Sequence, residues 1–197
     1  MEENPTALGI VDTAIDLFWK SSYHATNMNA LSRAAGVNKA TVYQHFASKE
    51  EIAIASVKRA ADRTIDYVFE GAFEAFEAPL DRLDNIYQRI YQSHKALFDE
   101  DDLARGCPFV NIGVELSTAS APVRKAVQQA FARFEAYYVR IVDDLRASGA
   151  LIHDTTSQEL ARDLQANMNA TLVASKIEKR PEAILDGGKR AARYLTG

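Results

Sequence analysis

The chain has 197 residues, 47% of them apolar, and a formal net charge of −4. That suits one ordinary domain, or a small head on a larger body, and no run of about 18 apolar residues predicts a membrane span. The acidic N-terminus (MEENPTALG) predicts no export signal, and the single cysteine, Cys107, excludes an intrachain disulfide, so a cytoplasmic protein is expected.

Period-2 alternation is scarce and helical periodicity is everywhere, which predicts an all-α fold of about nine helices. The first runs from Pro5 to Ser21, with Leu8, Val11, Ile15 and Phe18 on one face. Asn27 caps a short helix that stops at Gly36, and Asn38 caps another over Lys39–His45. Ser48 and Glu51 form a capping box that opens a long helix to about Phe76. Pro79 opens the next, and Asp99 to Arg105 reads as a connection. A shorter helix over Gly106 to Ser117 is expected to bend near Pro108 and to act as a hinge. Pro122 begins an amphipathic helix ended by Gly149. Thr156 and Glu159 box the start of a helix to about Ile177, and Pro181 begins the last one.

Residues 17 to 49 contain no Asp or Glu but carry Lys20, Arg33, Lys39 and Lys49, with His24 and His45. A locally basic stretch in an acidic chain is the footprint of a nucleic-acid-binding head. Within it, NMNALSRAAGVNKATVYQHF reads as two short helices around a glycine turn, a helix-turn-helix. Ala34 and Ala35 let the helices cross closely. Val42 and Phe46 face inward, and Lys39, Ala40, Tyr43 and Gln44 face outward toward a major groove. Lys39 suits a guanine edge or a phosphate, and Gln44 suits adenine. The Tyr43 hydroxyl and Lys49, at a helix start, suit phosphates. Thr26 and Asn27 suit the DNA backbone, with Thr41 and His45 flanking the face.

The stretch Thr26 to Ile52, TNMNALSRAAGVNKATVYQHFASKEEI, resembles the DNA-binding signature of the TetR family of bacterial transcriptional regulators. Ala40 stands where many members have glycine and Gln44 where many have histidine, so base preference does not carry over from the family. The resemblance implies a homodimer that represses from a palindromic operator and is released by a small-molecule inducer. The head would occupy residues 1–48, and a ligand-binding and dimerisation body 49–197.

In that body, Tyr87, Tyr91, His94, Phe109, Phe134 and Tyr138 form an aromatic set suited to a mostly apolar pocket, or to ordinary core. The segment GCPFVNIGVEL resembles a GC-x3-N-x3-EL pattern in one branch of the family, through Gly106, Cys107, Asn111, Glu115 and Leu116. The resemblance adds Cys107 and Asn111 to the ligand set. Cys107 reads either as an electrophile sensor or as a small buried residue. Leu164, Met168 and Leu172, with Ile184, Gly188, Ala191 and Leu195, are the stripes expected at the dimer interface, or in intrachain packing. No cofactor is expected and no metal: the four histidines lack ligand spacing. The competing classes are a DNA-binding activator or ligand-free regulator, and a small enzyme using Cys107 with His94, for which no assembled site is evident.

Overall fold

The computed structural model describes residues 4–197, and these form nine helices with no strand among the described residues. The helices are α1 (Pro5–Ser21), α2 (Met28–Ala34), α3 (Lys39–His45), α4 (49–75), α5 (Pro79–Asp101), α6 (Pro108–Leu116), α7 (Ala121–Ala147), α8 (Ser157–Ile177) and α9 (Ala183–Thr196). Their ends follow local chemistry. The side chains of Asn4, Asn27 and Asn38 each accept a hydrogen bond from the exposed N–H groups of the helix they open, and Thr156 with Glu159 closes a full capping box. Gly36, at φ +68°, supplies the left-handed turn between α2 and α3.

Three expectations about helix ends are corrected. Pro108 is the first residue of α6 and does not bend it, because an N-terminal position needs no N–H donor. Helix α5 runs on to Asp101, where Asp102 takes a left-handed conformation. Pro181 lies in a turn, and α9 starts at Ala183, whose N–H meets the Arg180 carbonyl. Within α4, a π-helical stretch over Ile65–Glu70 widens the helix, a feature the apolar period does not encode.

Packing divides the chain into two compact units. The first holds the residues up to Asp62 together with Pro108–Ala130; the second holds Arg63–Cys107 and Phe131–Gly197. In the first, α1 packs on α2, α3 and α6, around Ile10, Val11, Ala14, Phe18, Leu31, Val42 and Ile52, all buried. In the second, α9 packs against both α5 and α8. Close approach there depends on Gly188, where an added Cβ would meet Tyr87 Cγ at 2.9 Å. Burying these side chains, at about 1.5–3 kcal/mol each, is what offsets the entropy of ordering the helices.

Candidate nucleic-acid interface

Helix α3 has two unlike sides. Val42 is fully buried and Phe46, just past its end, is nearly so, whereas Lys39, Ala40, Tyr43 and Gln44 are exposed. Tyr43 is 47% exposed. Its ring lies 5.9 Å from the Lys39 ammonium, so a cation, a hydroxyl and an amide share one short surface. Thr41 and His45 are half-buried at its margins, and the Thr41 hydroxyl donates to Asn38 Oδ1 at 3.1 Å. Asn27 is exposed, with its side-chain oxygen committed to the Ala30 N–H at 2.9 Å, which leaves its amide donors outward.

Two residues expected at DNA make hydrogen bonds within the chain. Thr26 is 3% exposed, and its hydroxyl donates to the Ser22 carbonyl at 2.8 Å. Lys49 turns inward: its ammonium donates to the carbonyls of Tyr23 and Thr26, both at 2.9 Å, and sits 3.9 Å from the centre of the Tyr23 ring. Burial lowers the Lys49 pKa, and the charge of Glu115 opposes that shift. Both residues shape the turn that presents α2 and α3, because their polar atoms complete its backbone hydrogen bonds.

Glu115 of α6 completes this clamp. Its carboxylate accepts from the N–H groups of Tyr23 at 3.0 Å and His24 at 2.6 Å, with the His24 ring 4.0 Å away. Burial, with the charges of Glu50 and Glu115, raises the Tyr23 hydroxyl's pKa. Sequence reasoning named Glu115 only as part of a pattern. Its role rests on contacts across more than ninety residues of chain, which no local period reports.

Of the expected ligand-binding residues, Phe109 and Asn111 belong to the first unit and the other six to the second. Tyr87 is buried and its hydroxyl accepts from Asn167 Nδ2 at 2.7 Å; desolvation pushes its pKa up to about 12. Tyr138 is fully buried and its hydroxyl has no hydrogen-bond partner among the described residues. Phe134 stacks on Phe69 at 5.3 Å between centroids, and Tyr91 is half-buried. Burial pulls the His94 pKa down to about 4, with the Arg105 guanidinium adding to the shift. Cys107 is 4% exposed, which removes the access a reactive thiol needs.

All seven residues expected at a dimer interface (Leu164, Met168, Leu172, Ile184, Gly188, Ala191 and Leu195) are buried within the single chain. Their stripe packs helix on helix inside the second unit, as ridges filling grooves require. Among the described residues, no cluster of three or more potential metal ligands occurs and no helix is long and apolar enough to cross a membrane.

A capped, glycine-turned helix pair with one buried and one polar exposed face, on an all-helical body, defines a helix-turn-helix transcriptional regulator. Residues 10–55 match the profile of bacterial regulatory proteins of the tetR family, and residues 79–191 match the tetracyclin repressor-like C-terminal domain. The chain therefore belongs to the TetR family. It is 27% identical over 119 residues to the biofilm operon icaADBC HTH-type negative transcriptional regulator IcaR of Staphylococcus epidermidis, covering 60% of this chain and 57% of that one. It is 25% identical over 187 residues to the HTH-type transcriptional repressor DhaR of Mycobacterium sp. strain GP1, covering 93% and 89%. The crystal structure of regulatory protein TetR from Rhodobacter sphaeroides has the same fold, with a TM-score of 0.83 over 98% of this chain and 100% of that one at 19% identity.

Proposed function

We propose that this regulator is a repressor that binds a palindromic duplex operator as a homodimer and leaves it when a small molecule occupies the body. The observation that carries the reading is the polar face of α3, with Lys39, Ala40, Tyr43 and Gln44 outward and Val42 behind them. Lys39 and Gln44 read base edges, Ala40 admits close approach, and the Tyr43 hydroxyl meets a phosphate. Asn27, Thr41 and His45 border the duplex, and Thr26 and Lys49 position the head without touching it. DNA reading is assigned to residues 1–48, and ligand binding and dimerisation to 49–197. The names of two relatives, a negative regulator and a repressor, support the sign of the effect.

Dimerisation is assigned to the outer face of α8. Ala166, Ala170, Val173 and Ile177 fall at helical spacing and are all exposed, Ile177 at 78%. An apolar stripe of this kind, on a protein that needs two heads one DNA turn apart, fits a second copy of the chain. For the inducer, the partnerless buried hydroxyl of Tyr138 supports a molecule that takes one hydrogen bond among apolar walls. Tyr87, Tyr91, His94 and Phe134 are the further candidates. Cys107 is assigned to packing in place of electrophile sensing, because its thiol is buried. Gly106, Cys107, Asn111, Glu115 and Leu116 are assigned to the family branch with the GC-x3-N-x3-EL pattern, supported by the clamp that Glu115 makes.

The test is operator selection from a random duplex library, followed by binding titrations with variants. Tyr43→Ala is expected to weaken binding to every sequence, and Gln44→Ala to relax preference at one base pair per half-site, a loss of roughly 1–3 kcal/mol of discrimination. Parental affinity and preference in both variants would remove the assigned face.

A further inference from the structure

Helix α4 does not wind evenly. Over Ile65–Glu70 it opens into a π-helical turn, a rare form whose bonds run from i to i+5. Where such bonding rejoins the i to i+4 ladder, a backbone carbonyl is passed over, and a donor from outside is needed to satisfy it. Here one side chain supplies that donor. Arg89 of α5 donates through Nη1 to the Tyr67 carbonyl and through Nη2 to the Gly71 carbonyl, both at 3.0 Å, and through Nε to Asn85 Oδ1 at 2.6 Å. Its guanidinium also lies 5.3 Å from the centre of the Tyr67 ring. All three acceptors are neutral oxygens, so these contacts form a fork on the backbone and not an ion pair. Gly71 gives the fork room: a Cβ built there would stand 2.5 Å from Arg89 Nη1 and 2.7 Å from its Cζ. Glycine inside a helix weakens it, and alanine would be the better helix former at this position. Tyr67, Gly71, Asn85 and Arg89 all belong to the second unit.

We propose that Arg89 and Gly71 form a two-position lock on the winding of α4. With the guanidinium seated, its two donors satisfy the Tyr67 and Gly71 carbonyls, and Ile65–Glu70 holds the π-helical turn. With it withdrawn, the same residues rewind with i to i+4 bonds, which complete the ladder from within. The short C-terminal end of the helix is the part that turns. Gly71–Ala75 rotates about the axis, and Phe73 leaves its seat between the guanidinium groups of Arg82, at 4.5 Å, and Arg140, at 4.2 Å. The lock uses contacts of the second unit alone, so it stands or falls separately from the repressor reading.

The test reads winding and stability in the full chain. The crystal structure of Arg89→Met is expected to show i to i+4 bonds through residues 65–75 and a displaced Phe73. Arg89→Lys is expected to show the same, because one ammonium cannot span two carbonyls as a planar fork does. Tyr137→Phe removes the hydroxyl that donates to Glu70 in the same turn, and is expected to leave the turn as it is. In solution, the lock reverses the sign of a substitution. Gly71→Ala should lower the melting temperature of the parent, because the new Cβ expels the guanidinium. In the Arg89→Met background it should raise the melting temperature by roughly 2–4 °C, the ordinary gain of alanine over glycine in a helix for a chain of this size. Arg89→Lys serves as that background if the methionine variant does not fold. A π-helical turn retained in Arg89→Met or Arg89→Lys would overturn the lock. A Gly71→Ala shift of the same sign in both backgrounds would overturn it without a crystal.

Discussion

Replacing Lys49 by methionine separates a lysine that shapes the head from one that grips a phosphate. The ammonium donates to the Thr26 and Tyr23 carbonyls, both at 2.9 Å, and lies 3.9 Å from the Tyr23 ring. Methionine keeps the length of the side chain and removes every donor. The Tyr23 carbonyl retains one partner, the Thr26 N–H at 3.2 Å, so its loss is the smaller. The Thr26 carbonyl loses a charge-assisted bond worth about 1.5–3 kcal/mol, and the ring contact adds about 0.5–1 kcal/mol. Desolvation of the lysine, visible in its lowered pKa, offsets part of this. The expected net loss is about 2–3 kcal/mol, or roughly 5–10 °C in melting temperature for a chain of this size. The assay pairs urea denaturation with operator binding measured across a salt series. If Lys49 braces the turn and touches no phosphate, the slope of log affinity against log salt should stay at its parental value even if affinity falls, whereas loss of one phosphate contact would reduce it by about 0.9. Parental stability together with a reduced slope would refute the inward assignment.

Glu115→Ala removes the acceptor of two backbone N–H groups, one of them in a partly buried position, and should cost about 1–2 kcal/mol in urea denaturation. Operator affinity should fall with it while base preference is retained; a change below 0.5 kcal/mol would mean that water replaces the carboxylate without loss. Native Cys107 should react with a small thiol reagent at least about 100-fold more slowly than the unfolded chain, because attack must await local opening; reaction at the unfolded rate would reinstate a sensor. His94 ties stability to acid. Its folded pKa near 4 lies below the ordinary 6.5, so between those values the unfolded chain takes up a proton that the folded chain does not. Stability is therefore full above pH 6.5 and declines toward pH 4, by about 3 kcal/mol at most, and His94→Gln should flatten that slope in denaturation curves measured against pH.

Much of the head was legible in the sequence because its determinants are local. An asparagine before a periodic run, a glycine at a turn and a valine four residues before a phenylalanine each act within one helical turn, so α1, α2 and α3 begin and end where side-chain chemistry places them. The outward set of α3 follows from the same spacing, since burying Val42 and Phe46 turns Lys39, Tyr43 and Gln44 away from the core. Tertiary structure decided matters that depend on distant partners. Lys49 and Glu115 meet the same turn from far apart in the chain, and no local period reports those contacts. Periodicity marks Leu164, Met168 and Leu172 as apolar but does not say whether the surface they cover belongs to the same chain or to another. Packing against α9 settles that they lie inside one chain, and leaves Ala166, Ala170, Val173 and Ile177 on the outer face. The partnerless hydroxyl of Tyr138 was equally invisible in sequence, because satisfaction of a polar atom is a property of its surroundings and not of its residue type.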